Sequence, residues 1–251
     1  MTRFRIFVAT HAQGLLPEGA PDFGVIGLGG FRPVTSLPTV TDDTGDSISA
    51  KNKHYSELTG HYWLWKNVSD LDIVGVCQYR RYFVFDTRFH GTKIYVTPTS
   101  QNIARLAGPG CKGFVEDALS SADVIVPRCQ NLGSSLSSQY VSCHRLEDWD
   151  LMLQAISENC PDFRTSLSWF DREYSAHLYN MLVAPKTFFD AYQSRLFAVT
   201  GWMEGQRPFP AEPYQCRVPA FVAERFFSFY LHVTRARCFE IPVAILDPKA
   251  F

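Results

Sequence analysis

The sequence predicts an α/β fold with a mainly parallel central sheet and helices on both faces. Three observations lead there. Short apolar, β-branched runs alternate with segments whose apolar residues recur at helical spacing. The 251 residues are 46% hydrophobic and 20% charged, enough apolar surface to offset the entropy of ordering. The 16 Gly and 15 Pro are scattered and no segment repeats at a fixed period, which excludes collagen, coiled-coil and solenoid architectures. A chain of this size is expected to form one domain over residues 1–251.

In chain order, residues 5–10 read as a buried first strand that stops at a polar turn. Residues 13–45 are rich in Gly, Pro and Asp, with 23–31 as an extended piece; such irregular stretches are often functional. Ser49 or Asp46 can cap a helix over 50–67, on which Tyr55, Leu58, Tyr62 and Trp65 recur at helical spacing. A second buried strand covers 71–77 and runs into Gln78-Tyr79-Arg80-Arg81-Tyr82-Phe83. A third covers 122–126, closed by Pro127. Residues 147–156 are helical by pattern, 178–184 form a fourth strand and 188–199 a helix. Residues 201–213 read as a loop, 220–233 as an aromatic-rich helix and 239–246 as the last strand.

Charge and missing motifs narrow the function. Lys and Arg number 24 against 25 Asp and Glu, a net charge of −1, so a nucleic-acid partner is not expected. No apolar run approaches the ~20 residues of a membrane span. The apolar stretch Ile6-Phe7-Val8-Ala9 is shorter than the roughly 7–15 residues of a secretory signal core. Seven Cys without a CxxC fit a reducing, cytoplasmic setting. Gly27-Leu28-Gly29-Gly30 breaks the dinucleotide-binding spacing, and Walker A, GxSxG and HExxH motifs are absent.

Five clusters remain as candidate chemistry. Asp42-Asp43-Thr44-Gly45-Asp46-Ser47-Ile48-Ser49 is a capped loop, a polar lip that meets a phosphate or sugar at a helix start, or a set of carboxylates that holds a metal. His54, Glu57 and His61 fall at i, i+3 and i+7, a face on which a metal is geometrically feasible, although solvated or satisfied contacts explain it as well. Tyr79-Arg80-Arg81-Tyr82 follows a buried strand, where open sheets gather ligands; it is a salt-bridged strand end or an anion site. His144-Arg145-Leu146-Glu147-Asp148-Trp149 opens a helix and offers a base and a sugar-stacking ring, or carboxylates that complement the helix dipole. Glu224-Arg225, inside an apolar helix, reads as an ion pair that is structural or aimed into a site.

Several of these strings resemble one family. They are Gly45-Asp46-Ser47-Ile48-Ser49-Ala50-Lys51-Asn52, Tyr55-Ser56-Glu57-Leu58-Thr59, Tyr62-Trp63-Leu64-Trp65-Lys66-Asn67 and Val74-Gly75-Val76 with Tyr79-Arg80-Arg81-Tyr82-Phe83. His144 with Glu147-Asp148, Tyr179-Asn180-Met181 and Ala223-Glu224-Arg225 continue the likeness. The chain is similar to a bacterial family formerly of unknown function from capsule, exopolysaccharide and O-antigen gene clusters. Its members look like glycosyltransferases of GT-A type, some of them galactofuranosyltransferases. Ser47, Gln78 and Cys143 depart from that pattern, which usually has Asn, His and His there.

The resemblance implies a single GT-A-like domain that moves a hexosyl group from a nucleotide-diphosphate sugar, a UDP-sugar favoured, to a lipid-linked glycan. Thr10, His11, Asp46, Asn52, Tyr79, Arg80 and Arg81 would hold the donor. Asp148 would be the catalytic base with Glu147 as its substitute and His144 beside them, giving an inverting reaction. Trp149, Asn180, Glu224 and Arg225 would serve the acceptor. Many GT-A enzymes hold a divalent metal at an Asp-x-Asp strand end. Here that end reads Gln78-Tyr79-Arg80-Arg81, so a metal is not supported and no cofactor is assigned. Phe226, Phe227, Phe229 and Tyr230 would provide peripheral contact with the inner membrane. The competing classes are a metal-dependent hydrolase using His54, Glu57 and His61, and a non-catalytic sugar-binding module.

Overall fold

The computed structural model describes residues 2–86 and 88–247. Strand β1 (Phe4–Thr10) pairs in parallel with β2 (Phe23–Gly27), and β2 with β3 (Thr39–Thr41). The Gly- and Pro-rich stretch therefore yields two short strands. Gly27 ends β2 where no side chain fits, since a Cβ there would lie 1.8 Å from the Phe31 carbonyl oxygen.

The helix expected over 50–67 is broken. A 3-10 turn (Ser49–Lys51) leads into α1 (Asn52–Tyr55); Ser56 adopts φ 50°, and α2 (Leu58–Asn67) starts anew. The Asn52 amide donates to the Ser56 carbonyl at 2.8 Å and to Thr59 Oγ1 at 3.0 Å. A side chain that captures backbone groups in this way competes with the helix ladder. Periodicity is blind to the break, because Tyr55 and Leu58 are both buried on either side of it.

Strand β4 (Ile73–Gln78) lies parallel to β1. Then come β5 (Arg81–Phe83), β6 (Lys93–Val96), α3 (Ser100–Leu106), α4 (Cys111–Ser121) and β7 (Val124–Pro127). The sequence reading missed β6, α3 and α4. Next are β8 (Gln130–Asn131), α5 (Leu136–Cys143), α6 (Leu146–Asn159), β9 (Ser175–Ala176) and β10 (Leu182–Pro185). The chain continues through α7 (Lys186–Gln206), α8 (Val218–Thr234), β11 (Cys238–Ile241) and β12 (Val243–Leu246). Strand 178–184 is shortened because Tyr179 and Asn180 take φ 80° and 50°. Helix α7 absorbs half of the loop expected over 201–213. The last strand is split at Pro242, which has no N–H to give the ladder.

Seven strands of the main sheet run β3-β2-β1-β4-β10-β7-β11, parallel except where β10 lies between β4 and β7; β5, β12 and β6 join off this path, with β5 antiparallel to β4 and β12. Strand alternation sends Ile6, Val8 and Ile125 to one face, against Ile103 and Val115 of α3 and α4. Phe7, Ala9, Val124 and Val126 point to the other, which α2 and α5 to α8 cover. Helices thus cover both faces, as the sequence predicts.

In α8 the rings of Phe226, Phe227, Phe229 and Tyr230 are 0%, 1%, 0% and 7% exposed. This overturns the membrane role expected of them: they are core, packed on Tyr192, Phe163 and Phe170. No described helix is long and apolar enough to cross a membrane.

Candidate functional site

The carboxyl ends of β1 and β4 open onto one cleft with two halves. The first half, a cavity of about 440 Å³, is lined by His11 after β1, Tyr79, Arg80 and Arg81 after β4, Lys53 of α1, and Arg217 just before α8. The second, about 360 Å³, is lined by His144, Tyr179, Asn180, Tyr214, Phe221 and Glu224. Ser56, Glu57, Gln78, Arg81 and Arg217 line both, so the halves are continuous.

The first half is cationic and aromatic. Arg80 is exposed and lies 5.0 Å from the Tyr79 ring, while His11 meets Tyr79 edge-on at 5.4 Å. Arg81 is half-buried; it donates to Gln78 Oε1 and lies 5.0 Å from the Tyr179 ring. Its Nε is buried with no partner, a donor still to be satisfied. Gln78 in turn donates to the Tyr179 carbonyl at 2.7 Å.

The second half is built around a strained turn. Ser56, Tyr179 and Asn180 all have positive φ, 50°, 80° and 50°, and all line it. The Tyr179 N–H donates to Glu224 Oε1 at 3.0 Å, and the Asn180 amide donates to Glu57 Oε1 at 2.7 Å. Burial pushes the Glu57 carboxyl above its ordinary range, Glu224 adds to this, and the Asn180 bond and Arg81 oppose it. Glu224 also accepts from Arg225 at 3.1 Å, and Arg225 donates to Gln139 at 2.6 Å. His144 stacks on Phe221 with ring centres 4.0 Å apart. Burial, with Arg225 and Arg217 nearby, lowers its pKa to about 4, so it is neutral at pH 7.

Of the expected donor residues, His11, Asn52, Tyr79, Arg80 and Arg81 line the first half. Thr10 does not: it is 1% exposed and its hydroxyl donates to the Ala12 carbonyl, shaping the turn. Asp46 is also outside, exposed and bonded by Tyr62 at 3.0 Å and Asn67. The neighbouring Asp42 is fully buried and clamps the Gly29 and Gly30 N–H groups and the Ser49 hydroxyl. That loop is chiefly structural.

The expected base is misplaced. Asp148 is 2% exposed, held by Arg207 at 2.6 Å, and lines neither half of the cleft. Glu147 faces solvent beside Arg145, and Trp149 is core between Tyr140 and Phe170. Of that helix start only His144 reaches the cleft, together with Asn180, Glu224 and Arg225 from elsewhere. The supposed metal face also disperses, because the break at Ser56 turns its members apart. His54 bonds the Cys216 carbonyl, His61 is buried against Gln193, and Glu57 points to Asn180. Among the described residues no three His, Cys, Asp or Glu are grouped to hold a metal.

Sequence reasoning missed Lys53, Arg217, Tyr214 and Phe221, and saw Glu57 only as a metal ligand. Arg217 and Tyr214 stand in an irregular segment with no periodic signal.

A family model described as a domain of unknown function, DUF4422, matches residues 5–235. Among solved structures, the apo structure of WbbM, a bifunctional glycosyltransferase, is similar with a TM-score of 0.85 at 22% identity. The likeness covers 98% of this chain and 46% of that one, so this chain spans about half the length of that protein. No curated protein matches.

Proposed function

The chain belongs to the DUF4422 family, and on that premise we propose that it is a glycosyltransferase. It moves a hexosyl group, galactosyl or galactofuranosyl, from a UDP-sugar to a lipid-linked glycan during synthesis of a bacterial surface polysaccharide. The fold likeness to WbbM and the resemblance of the sequence motifs support the class. One observation carries it: a cationic pocket at the carboxyl ends of β1 and β4 runs without a break into a pocket lined by carboxylates and aromatic rings. Sugar transfer needs that pairing. The leaving diphosphate must have its growing charge neutralised, and the acceptor hydroxyl must lose a proton beside it.

Arg80, Arg81, Arg217 and Lys53 suit the diphosphate, with guanidinium planes that match phosphate oxygens bidentately. His11 and Tyr79 offer rings for the nucleoside. Tyr214 and Phe221 form the platform for the acceptor sugar, and the base comes from the carboxylates of the second half. Direct attack on the anomeric carbon makes the reaction inverting. A divalent metal does not suit this donor pocket: its only carboxylate, Glu57, stands among four cations. The transferase unit is the whole of residues 1–251.

Incubation with a panel of nucleotide sugars, scored for release of the nucleoside diphosphate, tests the proposal. Turnover of a UDP-hexose, raised by a galactoside acceptor, is the expected result. Binding of glycan with no donor turnover would make the chain a sugar-binding module instead.

A further inference from the structure

We propose that Glu57 is the catalytic residue that takes the proton from the acceptor hydroxyl, and that Asn180 is the residue that positions it. The proposal rests on the transferase reading above. Glu57 lines both halves of the cleft, which puts it at the seam where donor and acceptor must meet. Lys53 and Arg80 stand on its donor side, Glu224, Arg225 and His144 on the other, and Arg81 and Arg217 line both.

Its bonding differs from that of the other carboxylate in the cleft. Glu224 has both oxygens engaged, Oε1 by the Tyr179 N–H and Oε2 by Arg225. Neither oxygen is left open to an acceptor hydroxyl. Glu57 is fixed through Oε1 by the Asn180 amide, its own backbone N–H also bonds the carboxyl group, and unlike Glu224 it forms no salt bridge among the described residues. Both ends of that contact sit on strained backbone, since Ser56, the residue before Glu57, and Asn180 each have φ 50°. Strain of this kind persists only where the surroundings hold it, and it gathers at active sites. Burial raises the basicity of Glu57, the direction a general base requires.

The step balances as follows. The acceptor O–H bond breaks and its proton goes to the Glu57 carboxylate. The hydroxyl oxygen forms a bond to the anomeric carbon of the donor. The bond from that carbon to the diphosphate oxygen breaks, and its electron pair leaves with the diphosphate. Arg80 and Arg81 neutralise the charge that develops there.

The test uses the full chain and the UDP-hexose that the wild type consumes, with octyl β-galactoside as acceptor. Glu57→Gln should lower kcat at least about a hundredfold while calorimetry shows UDP binding retained. Glu224→Gln should lose less. Asn180→Ala removes the bond that holds the Glu57 pKa down, so the acidic limb of its pH–rate profile should move to higher pH. A merely structural Asn180 would leave that limb in place. Near-normal turnover by Glu57→Gln, or an unmoved limb in Asn180→Ala, overturns the proposal. A wild type that binds UDP yet consumes no nucleotide sugar overturns the transferase reading before any variant is made.

Discussion

Arg80 and Arg81 are neighbours in sequence held in different ways. Arg80 is exposed above Tyr79, whereas Arg81 is fixed between Gln78 and the Tyr179 ring. A guanidinium already held in place loses less rotamer freedom on meeting phosphate. Replacing either with Ala is expected to weaken UDP binding by about 1.5–3 kcal/mol, Arg81 towards the upper end, as read by calorimetry. His144 shows a second consequence of the cleft. Burial lowers its pKa from 6.5 to about 4, and burial does the same to His61 beside Gln193. In the unfolded chain both histidines take up a proton near their ordinary value, while the folded state resists it. The stability they allow is therefore complete above about pH 6.5 and falls as pH drops towards 4. Urea unfolding near pH 7 and pH 5 should differ by on the order of 1–2 kcal/mol for buried His61 and by less for half-buried His144, where solvent screens the charge, and His144→Phe should flatten its share.

At the scale of elements, the break between α1 and α2 decides the site. One continuous helix would carry Glu57 on the face of His54 and His61. The reversal at Ser56 sends it to Asn180 instead. Ser56, at φ 50° and ψ −129°, stands where glycine is at ease and serine is not. Ser56→Gly should raise the free energy of unfolding by about 1 kcal/mol, the relieved strain exceeding the extra entropy of the unfolded chain. A loss of stability in urea titration would mean that the serine contacts outweigh the strain. The turn at Tyr179 and Asn180 is its counterpart across the cleft. It delays the start of β10 and spends its polar groups on Gln78, Glu57 and Glu224.

For the whole molecule, α8 is the central buried helix. Its apolar residues lie all round it, which from sequence alone fits either a core or a membrane surface. The fold surrounds it with α6, α7 and the 3-10 turn (Pro161–Asp171), so its rings stack on Phe170 and Tyr192 and meet Phe163 edge-on. Phe229→Ala should cost about 3–5 kcal/mol in chemical denaturation, the size of a large cavity in a packed core. A cost below about 1 kcal/mol would place that ring at a mobile surface.

The central strands β1, β4, β7 and β10 and the helices α6 to α8 were legible in the sequence, because period-2 and period-3.6 patterns record which side of each element is buried; β6, α3 and α4 were not. The cationic strand end that lines the cleft was legible too, since the run of Arg80 and Arg81 follows β4 directly and a strand end is a local feature. The partner of a carboxylate is not local. Glu147-Asp148 has the composition of a base at a helix start, but Asp148 is claimed by Arg207, 59 residues along the chain. Glu57 meets Asn180 across 123 residues, after a helix break made by one asparagine side chain. Only tertiary packing brings such groups within bonding distance, because burial and long-range hydrogen bonds, rather than residue type, decide which carboxylate is left free to work.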